Sequence, residues 1–272
     1  MPNNNIRTMQ EKNIQAETVR QKVVKLFVLF FVYAFLILMA VIVLFPFYWM
    51  IISSLKTLEE YRMSVPTFWP RQIMLSNYAD AFTTASLGKL FVNTMIVGVV
   101  STLLSLVITV LSAFAFARLE FKGRETLFAA LLATMMIPGE LFTITNYSTV
   151  TSFGWMNTYT VLIVPFLVSV FYIFLLRQNF MQIPNELYLA AKVDGTSDLK
   201  YMFKVMIPIC RPTIITVTIL KVIECWNSYV WPMMVTTSKE MRLITTGLRM
   251  AFTSEEGRTV QGLQMAGSTI VT

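Results

Sequence analysis

From residue 26 to residue 52 the chain runs for 27 consecutive positions without a charged side chain. A bilayer core about 30 Å thick needs roughly 20 apolar residues in an α-helix, so this run is long enough to cross one. Arg20, Lys22 and Lys25 stand just before it, and a basic segment followed by an apolar one is also the pattern of a signal peptide. The apolar part of a signal peptide is only about 7–15 residues long and ends at small residues where it is cut. Neither holds here. Residues 26–53 are therefore predicted to be an uncleaved first span, behind a polar tail of residues 1–25.

Further apolar runs follow at 91–117, 127–150, 159–176 and 212–235, and within the second of these Pro138 and Gly139 are expected to break the helix at or near the membrane edge. Hydrophobic residues make up 56% of the 272, against 14% charged, which is more apolar material than the core of a soluble domain of this size can use. The predicted class is an all-α, polytopic membrane protein. Five complete spans are expected, plus the start of a sixth at 267–272, which reads as a span cut short. The net charge of +7 raises nucleic acid as a partner, but the basic residues are scattered among short loops and form no patch. No nucleic-acid partner is expected, whereas membrane lipid is. There is no histidine, and Cys210 and Cys225 lie 15 residues apart on one predicted helix. At about 1.5 Å per residue that is roughly 22 Å, too far for a disulfide, and no metal site is expected.

The basic residues set an orientation. The tail carries five (Arg7, Lys12, Arg20, Lys22, Lys25), the 118–125 turn three (Arg118, Lys122, Arg124) and the 177–211 loop five (Arg177, Lys192, Lys200, Lys204, Arg211). The alternate segments carry four in 54–90, none in 139–158 and four in 236–260. Positive charge favours the cytoplasmic side, so the N-terminus and the 177–211 loop are placed there, the empty 139–158 segment deciding it.

That last cytoplasmic loop is ordered rather than linker-like. Pro184 suits a first helical turn, Glu186 lies near the positive end of the helix dipole, and Leu187, Ala190 and Ala191 fall at i, i+3 and i+4 on one small apolar face. Asp194-Gly195 offers a left-handed residue at the helix end, and Thr196 or Ser197 is placed to cap a second helix running through Tyr201, Phe203 and Met206 to Pro208. The prediction is a helix–turn–helix elbow between membrane spans.

The spacing of Ala190, Ala191, Asp194, Gly195, Phe203, Pro208 and Pro212 resembles the cytoplasmic coupling loop of binding-protein-dependent ABC importer permeases. The loop of that family reads roughly EAA, two residues, DG, then about a dozen residues to a proline. Leu189 stands where the family usually has the glutamate, and Glu186 is the nearest acid before it. Elsewhere Asn77, Tyr78, Ala81 and Phe82 are similar to an NY-x-x-AF element, Asn93-Thr94 to an NS opening of the second span, and Arg118, Leu119, Phe121, Lys122, Gly123 and Arg124 to an R-L-x-F-K-G-R turn. Gly154, Asn157 and Thr158 resemble a further family turn, and Trp226-Asn227 a WN element in which Ser228 replaces a common acid. The likeness points to the carbohydrate branch, of the maltose and multiple-sugar permease kind.

The resemblance implies a type I importer transmembrane domain over residues 90–272, with its coupling loop at 183–208. Glu186, Leu187, Ala190, Ala191, Asp194, Gly195, Phe203 and Pro208 would contact the ATPase. It further implies a second homologous permease subunit, two cytoplasmic ATPase subunits and an extracytoplasmic sugar-binding protein. No phosphate-binding loop of the G-x-x-x-x-G-K-[ST] kind occurs, so the chain is read as a translocation subunit and not an enzyme. It is expected to bind no cofactor of its own, ATP and Mg²⁺ belonging to the partner.

Lys221, Glu224, Trp226, Asn227 and Tyr229 are the candidate lining of the solute pathway, since aromatic faces and polar groups together suit a sugar. Aromatic belts at a membrane interface have the same composition, and Lys221 with Glu224 also reads as a self-neutralising pair. An ion-coupled secondary transporter is the competing class, with Glu224 as its one good intramembrane acid. A permease for a non-sugar solute such as glycerol phosphate is the other alternative. An intramembrane enzyme lacks a nucleophile and base at a convincing spacing.

Overall fold

The computed structural model describes residues 4–252 and 261–272, with side chains described from residue 24 onward. The side chains of Arg7, Lys12, Arg20 and Lys22, and the loop residues Glu255, Glu256 and Arg258, lie outside it. Among the described residues every regular element is helical.

The first helix, α1 (Asn4–Ser54), runs unbroken from the polar tail through the apolar run. Its portion Val24–Ser54 is apolar and long enough to cross a membrane, and the most apolar stretch is uncovered by the rest of the chain. Only the far end is built in. There Thr57 caps the short α2 (Leu58–Tyr61), and α3 (Ser76–Thr84) returns to α1: the Asn77 side chain donates to Ser54 O at 2.8 Å and to Lys56 O at 3.0 Å, and the Tyr78 and Ser54 hydroxyls lie 2.7 Å apart. Between them Glu60 accepts from the Thr67 hydroxyl and the Arg71 amide, so this segment is a folded cap. Burial raises the Glu60 pKa, but these bonds and the charges of Lys56 and Arg71 win and hold it below the usual carboxylate value.

The centre of the molecule is α4 (Leu87–Arg118), the second straight helix long enough to span. Asn93, Val97, Ser101, Ser105, Thr109 and Ala113 recur every four residues and are all buried. Small residues in such a stripe let helices approach closely where lipid supplies no hydrophobic drive. Onto α4 pack α8 (Val170–Met181) and α12 (Arg211–Asn227), which are the second members of two of three bent pairs. The first pair joins α5 (Arg124–Thr134) to residues 139–152, which contain α6 (Thr143–Ser152), at 84°. In the second, α7 (Tyr159–Ile163) and its continuation to Phe166 meet α8 at 46°, across a break at 167–169. In the third, residues 198–209 meet α12 at 82° around Cys210. Two helices are thus straight candidates for spans, and the number reaches five if each bent pair is one span.

Two of the apolar runs are interrupted. The run 127–150 breaks at Pro138-Gly139 as its sequence predicts, because Pro138 removes an amide donor and disfavours helical geometry in Ile137 before it. The run 212–235 stops at Asn227, turns through Ser228 and Tyr229, and resumes as α13 (Val230–Val235). Two amphipathic helices follow, α14 (Ile244–Ala251) and α15 (Gln261–Val271). The latter, whose last residues were expected to open a sixth span, packs against α1 and α3.

Candidate functional site

The elbow comprises α9 (Asn185–Val193), α10 (Asp198–Tyr201), a π-helical turn (Met202–Met206) and α11 (Ile207–Ile209). Asp194 ends α9, and Gly195 takes φ +71° as the spacing predicts. The Thr196 amide then bonds back to Ala191 O at 2.8 Å and the Gly195 amide to Lys192 O at 3.0 Å, so the last carbonyls of α9 are satisfied through one left-handed residue. Of the two candidate caps Ser197 is the one used, its hydroxyl accepting from the Lys200 amide. The turn is clamped from both sides. Lys192 Nζ lies 2.6 Å from Asp198 Oδ1, and the Tyr188 hydroxyl donates to the same oxygen at 2.6 Å. Those two bonds, Lys192 first, hold the Asp198 carboxyl below the ordinary carboxylate range, and Asp198 in turn raises the pKa of Lys192.

The inner side of the elbow is a packed core, with Tyr201, Met202 and Met206 buried against Phe114, Leu176 and Phe180. Tyr188 and Ala191 lean on it. Ala191 is therefore half-buried, while Leu187 and Ala190, on the same predicted face, are exposed. What remains outside is an exposed apolar surface of Leu187, Leu189, Val193, Leu199 and Phe203, with Glu186, Ala190, Asp194 and Pro208 also exposed beside it.

The elbow is fastened to the bundle by Arg118, a member of the R-L-x-F-K-G-R turn, while Arg177, which the sequence offered only as a count of charge, ties α8 to α4 and α5. Arg118, at the end of α4, donates to Phe180 O at 2.8 Å, Ile183 O at 2.5 Å and Asn185 Oδ1 at 3.2 Å, locking the start of α9 to the central helix. Arg177, on α8, donates to Phe116 O at 3.1 Å, pairs with Glu125 at 3.1 Å and lies over the Phe128 ring. Both are almost covered. The signal for this role was available: each arginine stands at the junction of an apolar run and a turn.

The second region lies at the other end of α12. Lys221 and Glu224 form an i, i+3 pair with Nζ 3.3 Å from Oε2. They line a cleft of about 90 Å³ with Ser101, Phe166, Cys225 and Ser228. Lys221 also donates to Phe166 O at 3.0 Å, a carbonyl freed by the break between α7 and α8, and Tyr172 donates to Glu224 Oε2 at 3.2 Å. The three other pathway candidates sit elsewhere. The Trp226 ring meets Phe91 edge to face, Asn227 is exposed as the last residue of α12, and the Tyr229 hydroxyl accepts from Arg249 at 2.8 Å. Tyr172 went unnoticed in the sequence because a tyrosine inside an apolar run gives no periodic sign. Among the described residues no cluster of side chains suits a metal ion.

Residues 14–271 match the family described as binding-protein-dependent transport system inner membrane component. The chain is 33% identical over 218 residues to the diacetylchitobiose uptake system permease protein NgcG of Streptomyces coelicolor, covering 79% of this chain and 72% of that one. It is 30% identical to the arabinooligosaccharides transport system permease protein AraQ of Bacillus subtilis (79% and 77% covered) and to the lactose transport system permease protein LacG of Rhizobium radiobacter (86% of each). Its fold is similar to a chain in the crystal structure of a bacterial ABC transporter involved in the import of the acidic polysaccharide alginate. The TM-score is 0.77 over 88% of each chain, at 23% identity.

Proposed function

The chain belongs to the family of binding-protein-dependent transport system inner membrane components, and from that premise we propose that it is the permease subunit of an ATP-driven importer that takes up a sugar or oligosaccharide. The observation that carries the reading is its likeness, over most of its length, to three permeases named for saccharide uptake. It pairs with a second, homologous permease subunit to enclose the pathway and receives its solute from an extracytoplasmic binding protein. Two cytoplasmic ATPase subunits, holding ATP and Mg²⁺, supply the energy. The N-terminus and the elbow face the cytoplasm.

The elbow supports a mechanism of coupling. Its outer apolar surface, from Leu187 to Phe203, seats in a groove of the ATPase, with Glu186 as the polar contact nearest to Leu189. Closure of the ATPase pair moves the elbow as a rigid body, Arg118 passes that movement to α4, and Arg177 holds α8, which leads into the elbow, to α4 and α5. A ligand shifts a conformational equilibrium only through its different affinity for the two states, so ATP must bind better to the ATPase arrangement that goes with an outward-facing pathway.

Uptake of a labelled saccharide panel into proteoliposomes holding the complete importer and its binding protein tests this reading. Accumulation should require ATP inside the cytoplasmic face and persist when ion gradients are collapsed. Accumulation driven by an ion gradient without ATP overturns it.

A further inference from the structure

Glu224 and Lys221 are a charged pair with unequal surroundings. The Lys221 side chain is 3% exposed and that of Glu224 is 52% exposed. Lys221 is fully committed to the interior, one bond going to Phe166 O and one to the carboxylate. Both contacts made to Glu224, from Lys221 and from Tyr172, fall on Oε2. Among the described residues Oε1 accepts no hydrogen bond from a side chain. Here the cation and the tyrosine are buried holders, and the carboxylate is the group presented.

The position of Glu224 limits what it is presented to. It lies 13 residues beyond Arg211, the start of α12 at the elbow, which is about 20 Å along the helix and well within the depth of a bilayer core. A half-open carboxylate at that depth does not face lipid, so its open side meets water, solute or protein. The cleft beside it, about 90 Å³ and lined by Ser101, Ser228 and Cys225, has room for several water molecules. It lies next to the break between α12 and α13, where helices at membrane depth open only onto protein or a wet cavity.

We propose that Glu224, aimed by Lys221 and Tyr172, is a solute-contacting residue whose free carboxylate oxygen accepts hydroxyl groups of the passing solute, and that it favours uncharged saccharides over anionic ones. The inference rests on the permease reading. A fixed carboxylate accepts two hydroxyl donors well, because hydrogen bonds to a charged acceptor are stronger than neutral ones. It repels a carboxylate, sulfonate or phosphate on the solute, and like-charge contact in a site of low dielectric is an effective way to reject a competitor.

The test uses the assembled importer in detergent, without its binding protein, so that the binding protein's own selectivity is left out. Binding of a neutral oligosaccharide and of its uronic-acid analogue is measured for the wild type, for Glu224→Gln, and for Lys221→Met with Glu224→Gln, which leaves no charge unpaired. Both variants should bind the neutral solute at least fivefold more weakly and lose most of the preference over the acidic analogue. Separately, Ser228→Cys in a background with Cys210→Ser and Cys225→Ser should react with an impermeant methanethiosulfonate from outside, and the neutral oligosaccharide should slow that reaction. This second measurement leaves the charged pair intact and does not depend on the folding of Glu224→Gln. Unchanged binding and unchanged discrimination in the variants, or labelling that the saccharide does not slow, overturn the proposal. If the wild-type importer takes up no saccharide at all, the permease reading itself fails, whereas wild-type uptake with unaltered variants defeats only the role of Glu224.

Discussion

Lys192 and Asp198 close the elbow across its glycine turn, Nζ to Oδ1 at 2.6 Å, so that the two helices meeting at Gly195 are tied side to side as well as end to end. Asp198 has a depressed pKa in the folded protein. Its contribution is therefore present above the unfolded carboxyl pKa of about 3.9 and is lost as pH falls through the folded value. Lys192 is shifted the other way, so its contribution is present below about 10.4 and is lost as pH rises through its folded value. The tie should be insensitive to pH between about 5 and 9. Asp198→Asn should speed amide hydrogen exchange across residues 186–200 several-fold at pH 7, and the difference from wild type should shrink below about pH 4. Equal exchange in the two proteins at pH 7 would show that the tie does not hold the turn.

The glycine turn itself gives a second prediction. Gly195 sits at φ +71°, and a Cβ built there meets nothing within 4 Å. The cost of Gly195→Val is therefore conformational alone, about 1 kcal/mol or more, because a β-branched residue resists the left-handed region. Gly195→Asn should be milder, since asparagine tolerates that region. Saccharide uptake should fall in the order wild type, Asn, Val while the amount of assembled importer stays level. Full saccharide-stimulated ATPase activity in Gly195→Val removes the turn from the coupling path.

Local chemistry was the legible part of this chain. The Asp194-Gly195 turn and a cap at Thr196 or Ser197 are written in a few neighbouring residues, and the structure has the turn and uses Ser197; the first apolar run is a helix long and apolar enough to cross a membrane. The helix breaks were partly legible: proline and glycine marked 138–139, and Pro208 and Pro212 bracket the break at Cys210, but no local residue sets its angle of 82°, which depends on how the elbow packs under α4. Partners distant in sequence were the illegible part. Arg118 finds carbonyls more than 60 residues away, and Tyr172 reaches Glu224 52 residues away. Helical periodicity carries no information about which helix a face will meet.

Orientation is open to a direct test. Thr151 and Ser197 are both exposed and lie on opposite sides of the membrane if the basic loops are cytoplasmic. With Cys210 and Cys225 replaced by serine, Thr151→Cys should be labelled by an impermeant thiol reagent applied to intact cells. Ser197→Cys should be labelled only after the membrane is opened. Labelling of Ser197→Cys from outside intact cells reverses the assignment.

Asn93 offers the sharpest test of how the end of α4 remote from the elbow is held. Its side chain is 2% exposed and makes three bonds to distant elements: Nδ2 to Glu240 O at 2.6 Å and to Arg242 O at 3.1 Å, and Oδ1 from the Tyr159 hydroxyl at 2.7 Å. One residue on, the Thr94 hydroxyl accepts from the Ile244 amide at 2.9 Å, so the segment leading into α14 is pinned at both positions. Asn93→Leu is close in volume but leaves two carbonyls and a hydroxyl without this partner; a fully buried orphan costs about 1–3 kcal/mol, and these, with Glu240 exposed and Arg242 and Tyr159 half-buried, cost less each. The single change should destabilise the subunit by a few kcal/mol, read as a lower thermal midpoint of the purified importer. Tyr159→Phe alone should cost less, because only Asn93 Oδ1 then loses a partner. Since the two side chains bond each other, the double variant should be less destabilised than the two single losses added together, by about 0.5–1.5 kcal/mol. Strict additivity would mean that the Tyr159 bond contributes nothing to holding α4 against α7.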